Sequence, residues 1–370
     1  MRYLLLVSAS GQVVLGDIDS GAHVPVGMSS PRSDSAVSAG PVASTAVWSA
    51  EGQWTAWSTD PSDPDDSGHI ELHDEATDAT RIIAESLSAF YLCPSPCGRY
   101  LSHLSPGPLG LELGVTDIRT GELHVIERGQ PLYWSWSPDS ARIAVHVGRR
   151  VVVAGRDGSS PFELTDDAGA FTAPWWITGG TVAFVAGDRI VSQTVSSDLQ
   201  GTERAAGVGP EATLVDNAGS GRFALDPDGR RLAVVVAEEG QPALIVLDLL
   251  TGTRTTLSVD HVVAFFWSPD GRYLATLAVA SADELQWVVF DGDEANKLQS
   301  FRPTRAWAGN VLPFFEQYTH SHAFWSADSQ YLVACALAPN GSPFALVQSA
   351  TSPFTNEQLP DSQLAWWANE

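Results

Sequence analysis

Short apolar runs of strand length, separated by polar turns, fill the chain. His261-Val262-Val263-Ala264-Phe265-Phe266 leads into Trp267-Ser268-Pro269-Asp270-Gly271, and Tyr273-Leu274-Ala275-Thr276-Leu277-Ala278-Val279 leads out of it. Both flanks are rich in β-branched and aromatic residues and too short for a typical helix, so they predict strands. The phrase between them has the chemistry of a tight turn. Ser opens it with a side-chain oxygen, Pro presets φ at the next position, Asp follows, and Gly closes it.

That phrase recurs. Trp136-Ser137-Pro138-Asp139-Ser140 and Trp325-Ser326-Ala327-Asp328-Ser329 are close copies, and Trp48-Ser49-Ala50-Glu51-Gly52 and Leu225-Asp226-Pro227-Asp228-Gly229 are near relatives. Pro94-Ser95-Pro96-Cys97-Gly98 and Trp176-Ile177-Thr178-Gly179-Gly180 are degenerate copies. A second turn follows within each unit, as in Asp17-Ile18-Asp19-Ser20-Gly21, Asp117-Ile118-Arg119-Thr120-Gly121 and Asp248-Leu249-Leu250-Thr251-Gly252. Each unit therefore supplies four short antiparallel strands. The ends complete the count: Trp367-Ala368-Asn369-Glu370 joined to Met1-Arg2-Tyr3-Leu4 matches Trp267 to Leu274 in register. The repeat position thus falls at residues 48, 94, 136, 176, 225, 267, 325 and 367, close to the period of about 40–50 residues of four-stranded propeller blades.

This pattern predicts an all-β fold, a β-propeller of eight four-stranded antiparallel blades, with a seven-bladed ring as the alternative. Residues 1–370 would form a single domain, closed by a C-terminal strand over 363–368 pairing with N-terminal strands within 2–26. Such closure removes an open sheet edge. The Trp-Ser-Pro-Asp-Gly turn followed by Arg272-Tyr273-Leu274-Ala275, with the later Asp-x-x-Thr-Gly turn, resembles the repeat of the TolB-like, WD-repeat-related propellers over essentially the whole chain. The resemblance implies the fold but no single activity, because one propeller scaffold serves binding proteins and enzymes alike.

Composition narrows the partners. A formal charge of -24 with a pI near 4.5 repels nucleic acid and anionic lipid. No apolar stretch approaches the roughly 20 residues of a membrane span, and the run Leu4-Leu5-Leu6-Val7 ends too early for a signal peptide. Three cysteines, Cys93, Cys97 and Cys335, give no disulfide framework, so a cytoplasmic monomer is expected.

Loops joining strands B to C and D to A share one face of a propeller, and the long insertions fall there: 27–43, 59–68, 199–219 and 301–319. The richest runs from Trp307 to His322. Its aromatic residues, read as exposed, accompany Glu316, Tyr318, His320 and His322, the candidate ligand-binding residues, with strand alternation placing both histidines on one side. The competing reading is a hydrophobic cluster that seals the fold.

Other motifs carry less. The chain has no His-Glu-x-x-His, no Gly-x-x-x-x-Gly-Lys and no Gly-x-Ser-x-Gly sequence, which removes support for the zinc, phosphate-loop and serine-elbow enzyme classes. The acidic run from Asp63 to Asp74 has the oxygen spacing of a calcium loop, but Pro64 and Ser67 suit that poorly and a solvated turn is preferred. Neither a metal nor a cofactor is expected. Trp48, Trp136, Trp267 and Trp325 are assigned to packing between blades, while Trp134, Trp175, Trp307 and Trp366 remain candidates for surface platforms. The expected function is a non-catalytic scaffold that presents loops to a protein or small ligand. The alternative is a hydrolase or lyase with its site at the channel mouth, a histidine acting as base and Glu316 or Tyr318 assisting.

Overall fold

The computed structural model describes residues 2–26, 43–49, 51–59, 68–85, 87–108, 110–177, 180–195, 209–219, 221–238, 240–352 and 356–368. They form eight antiparallel sheets arranged as the blades of a ring. The seven-bladed alternative is therefore excluded. Closure is by the C-terminal strand Leu364–Trp367, which pairs with Tyr3–Val7 through Leu4↔Trp367 and Val7↔Leu364. The order in that blade runs His23–Pro25, Val13–Asp17, Tyr3–Val7, Leu364–Trp367 from the rim inward. Inner strands of the next six blades are Ala43–Trp48, Tyr91–Pro94, Leu132–Trp136, Trp175–Ile177, Phe223–Leu225 and Val262–Trp267.

The repeat phrase builds its turn as its chemistry requires. Gly271 N–H donates to Ser268 O at 2.9 Å, Ser268 Oγ donates to Asp270 Oδ1 at 2.6 Å, and Tyr273 N–H returns to Ser268 Oγ at 2.9 Å. Two copies replace the closing glycine by Ser140 and Ser329, which hold φ of 57° and 59°. Non-glycine residues adopt that region at a cost. Each serine offsets it with a bond to the preceding blade, Ser140 Oγ accepting from Cys97 N–H at 3.0 Å and Ser329 Oγ from Asp270 N–H at 3.2 Å.

Both turns of a blade lie on one face, where the arginine after the first turn meets the aspartate of the second. The pairs are Arg99–Asp117 at 2.7 Å, Arg230–Asp248 at 3.0 Å and Arg272–Asp291 at 2.6 Å. The arginine of each pair is largely open to solvent, which screens the attraction.

Indoles at the repeat position link successive blades. Trp325 Nε1 donates to Phe266 O at 3.1 Å, Trp267 Nε1 to Ala224 O at 3.1 Å and Trp176 Nε1 to Ser135 O at 3.2 Å. Each acceptor is the residue just before the repeat position of the preceding blade. Three of the proposed surface platforms are not on the surface: Trp134, Trp307 and Trp366 are among the largest fully buried side chains. Their faces fill the ring interior, which needs large apolar volume where eight inner strands converge. Most of the insertions at 27–43, 59–68 and 199–219 lies outside the described residues, as do residues 63–67 of the acidic run with calcium-loop spacing, for which a solvated turn is preferred. The described end of that loop is committed locally, for Asp74 Oδ1 accepts from Ala76 N–H, Thr77 N–H and Thr77 Oγ1. Among the described residues no group of three or more His, Cys, Asp or Glu side chains is placed to hold a metal ion.

Candidate functional site

The eighth blade departs from the repeat at its inner strand, and the departure occupies the channel. Arg302 to Thr304 pairs with the upper end of Tyr331–Leu337, Leu337 N–H donating to Arg302 O at 2.8 Å and Thr304 N–H to Cys335 O at 2.9 Å. The chain then leaves the sheet and returns only at Ala323 to Trp325, where Val333 N–H donates to Phe324 O at 3.0 Å. Residues 305–322 lie between these two halves of one strand. They form a π-helical turn at Trp307–Val311, a 3₁₀ turn at Leu312–Phe314 and one α-helical turn at Phe315–Tyr318.

Local chemistry explains the helical path. Trp307, Val311, Phe315 and Tyr318 are all buried, and steps of four, four and three place them on one helical face. Pro313 sits in the first turn of the 3₁₀ segment, where a missing N–H costs nothing. The strand alternation expected at His320 and His322 is therefore absent. The backbone turns there instead, with His320 N–H on Gln317 O and His322 N–H on Tyr318 O.

This plug touches the inner strand or its approach in every other blade. His322 Nε2 meets Ala46 O at 3.2 Å, and its ring packs on Trp366 at 4.2 Å between centroids. Tyr91 hydroxyl donates to Gln317 O at 2.7 Å, and the His320 ring lies 4.4 Å from Trp175. Gln317 behaves like a strand residue, Oε1 accepting from Trp134 N–H at 2.7 Å while Nε2 donates to Trp134 O at 2.9 Å. Arg222 Nε pairs with Glu316 Oε1 at 3.1 Å, and Phe315 packs edge-on against Phe265 and Phe266.

The four candidate residues are thus divided. Glu316 lines a basin of about 790 Å³ on the loop face, together with Tyr133, Phe171, Arg222, Leu312 and Phe314. His320 and His322 line a smaller cavity of about 360 Å³ on the turn face. Tyr318 lies between the two within the plug and lines neither. Burial sets their electrostatics. It pulls His320 down to about 4 and His322 to about 3, the carbonyl of Ala46 opposing the latter shift. It pushes the Glu316 carboxyl up against the opposing pull of Arg222, and it raises the Tyr318 and Tyr133 hydroxyls. Both histidines are neutral at pH 7. The exposed aromatic character expected of the segment is reduced to Phe314, which is 46% exposed at the floor of the basin.

Gln317 and Ser321 were missed as key residues of the segment, since a lone amide or hydroxyl carries no signal without its partner. The helical spacing of the buried aromatics was a legible signal for the plug itself.

No protein-family model matches the chain, and no curated protein does. Solved structures match it in shape. A eukaryotic initiation factor structure covers 100% of this chain and 99% of its own at 14% identity, with a TM-score of 0.60. The dihydro-heme d1 dehydrogenase NirN covers 98% of this chain and 73% of its own at 16% identity, with a TM-score of 0.57. TolB from Acinetobacter baumannii covers 79% of this chain and 61% of its own at 16% identity, with a TM-score of 0.40. At such identities the likeness is one of fold alone. The repeat's resemblance to TolB-like propellers accordingly stands at the level of the propeller, without family membership behind it.

Proposed function

We propose that this chain is a non-catalytic binding propeller that offers the loop-face basin over its plug to a protein partner. One observation carries the reading: Glu316 and Gln317 are spent on holding the plug in the ring, while the concave surface it leaves open on the loop face is mostly apolar. Glu316 is paired, Gln317 is doubly bonded to Trp134, and the two histidines are neutral and face the other side. An acid and a base do not converge, which counts against the hydrolase or lyase alternative. Phe314 stands exposed on a basin walled by Tyr133 and Phe171, the form of an anchor site in which a few buried aromatic contacts carry most of the binding energy.

Photo-crosslinking in the native cell tests this. A benzophenone amino acid at position 314 should give a discrete protein adduct, while the same group at Leu250, 78% exposed at a turn on the opposite face, should not. Equal adducts at both positions, or none at 314, would refute the proposal.

A further inference from the structure

The turn-face cavity has a chemistry of its own. In a chain of formal charge -24, none of the described residues lining it is Asp, Glu, Lys or Arg. Its walls come from Trp48 and Trp136, from the turn at Pro94 to Pro96, and from the plug at Thr319 to Ala323. At about 360 Å³ it sits at the small end of ligand pockets, which run from about 300 to 1,000 Å³.

The hydrogen-bonding character of the lining follows from which protons are already used. His322 Nε2 faces the carbonyl of Ala46 at 3.2 Å and carries the hydrogen, so Nδ1 is an acceptor. The Tyr91 hydroxyl spends its proton on Gln317 O, which leaves Ser321 Oγ, 2.5 Å from both His322 Nδ1 and the Tyr91 oxygen, to donate its one proton to one of these two. Thr319 Oγ1 donates to Phe315 O at 2.8 Å. Both hydroxyl protons are therefore used within the protein, and toward a ligand these two lining oxygens can act only as acceptors. Two further polar atoms of lining residues, Trp48 Nε1 and His320 Nε2, are buried without a partner among the described residues. Buried polar groups are ordinarily paired, and an unpaired one is a point at which a ligand recovers free energy.

We propose that this cavity binds an uncharged polyhydroxylated ring, a neutral hexose unit of a glycoside. A sugar hydroxyl both donates and accepts, so one group can meet the lone pairs of Thr319 and Ser321 and another the N–H of Trp48. The half-buried Trp48 indole offers a flat apolar wall to the C–H face of the ring. The absence of charge on the walls selects against phosphorylated or carboxylated sugars, whose burial there would go uncompensated. The walls are held in advance, the Trp136 indole by Ser102 Oγ at 2.9 Å and the plug by its contacts around the ring, which lowers the ordering cost of binding. This site is independent of the loop-face reading.

Saturation-transfer NMR on the full chain tests it with methyl α-glucopyranoside, methyl β-galactopyranoside and N-acetylglucosamine at about 10 mM, where even millimolar binding registers. At least one should show saturated ring protons. The signal should fall about fivefold, the worth of one hydrogen bond, in Trp48→Phe, which keeps a flat ring and removes an N–H that has no partner among the described residues. Thr319→Val provides a second variant should the first fail to fold. Phe314→Ala, on the opposite face, should leave the signal unchanged. The proposal is overturned if none of the glycosides is saturated, if the signal survives both Trp48→Phe and Thr319→Val, or if phenol gives a stronger Trp48-dependent signal than any sugar.

Discussion

The side chain of Gln317 does for the plug what a backbone ladder does for a strand, so replacing it isolates the plug's attachment to the ring. In Gln317→Met the volume is nearly conserved, but Trp134 N–H loses its 2.7 Å acceptor and Trp134 O its 2.9 Å donor. Both groups are buried out of reach of water, and a buried group left without its partner costs about 1–3 kcal/mol. The expected loss is therefore about 2–6 kcal/mol, a large part of the roughly 5–15 kcal/mol that holds a typical domain folded. Gln317→Glu sharpens the case. A carboxylate still accepts from Trp134 N–H but opposes Trp134 O, whereas its protonated form restores both bonds. That variant should be less stable than Gln317→Met at pH 7 and should gain on it as the pH falls toward 5. Guanidinium unfolding at both pH values gives the difference, and amide exchange at Trp134 reports the local opening. A Gln317→Met variant within about 1 kcal/mol of the parent would refute the reasoning, because no relaxation inside a packed ring restores two main-chain bonds at once.

Acidification should destabilise the parent between pH 6.5 and 5. His103 and His320 are held near 4 and His322 near 3 by burial, so the folded state stays neutral there while the unfolded state takes up protons. Each costs about 1.4 kcal/mol per pH unit below 6.5. Glu316, raised by burial, works in the opposite direction and offsets part of this loss; a stability flat from pH 7 to 5 by guanidinium titration contradicts the burial. Trp325→Phe, which removes the 3.1 Å indole bond to Phe266 O, should cost about 1 kcal/mol more than Trp307→Phe, whose Nε1 has no partner among the described residues, by the usual net value of a hydrogen bond; equal losses would remove the inter-blade ladder from the account. Ellman's reagent should modify exposed Cys97 alone in the folded protein, since Cys93 and Cys335 are buried and burial pushes the Cys93 thiol up to about 12. Fast modification of all three sites would show that the inner strands open.

Blade number and ring closure were legible in the sequence because the phrase from Trp267 to Gly271 is a local chemical object. Its serine, aspartate and glycine satisfy one another within five residues, so every copy announces a turn wherever it stands, and the copy divided between Trp367 and Leu4 announces closure. The indoles at the repeat position could likewise be assigned to blade packing from their period alone. What fills the channel was decided only by the tertiary structure. The segment from Trp307 to His322 was recognisable as unusual, but its aromatics and histidines suit a mouth and a plug equally well until their surroundings are known. Gln317 becomes a surrogate strand residue only when Trp134 lies opposite, and Glu316 gains its ion pair only when Arg222 arrives from a blade 94 residues earlier in the chain. Burial then makes His320 and His322 neutral and sends them to the opposite face from Glu316. A linear sequence encodes the propensity for turns and strands, which are local. It does not show the convergence of eight inner strands on one axis, and that convergence sets the burial, charge state and partners of every residue in the plug.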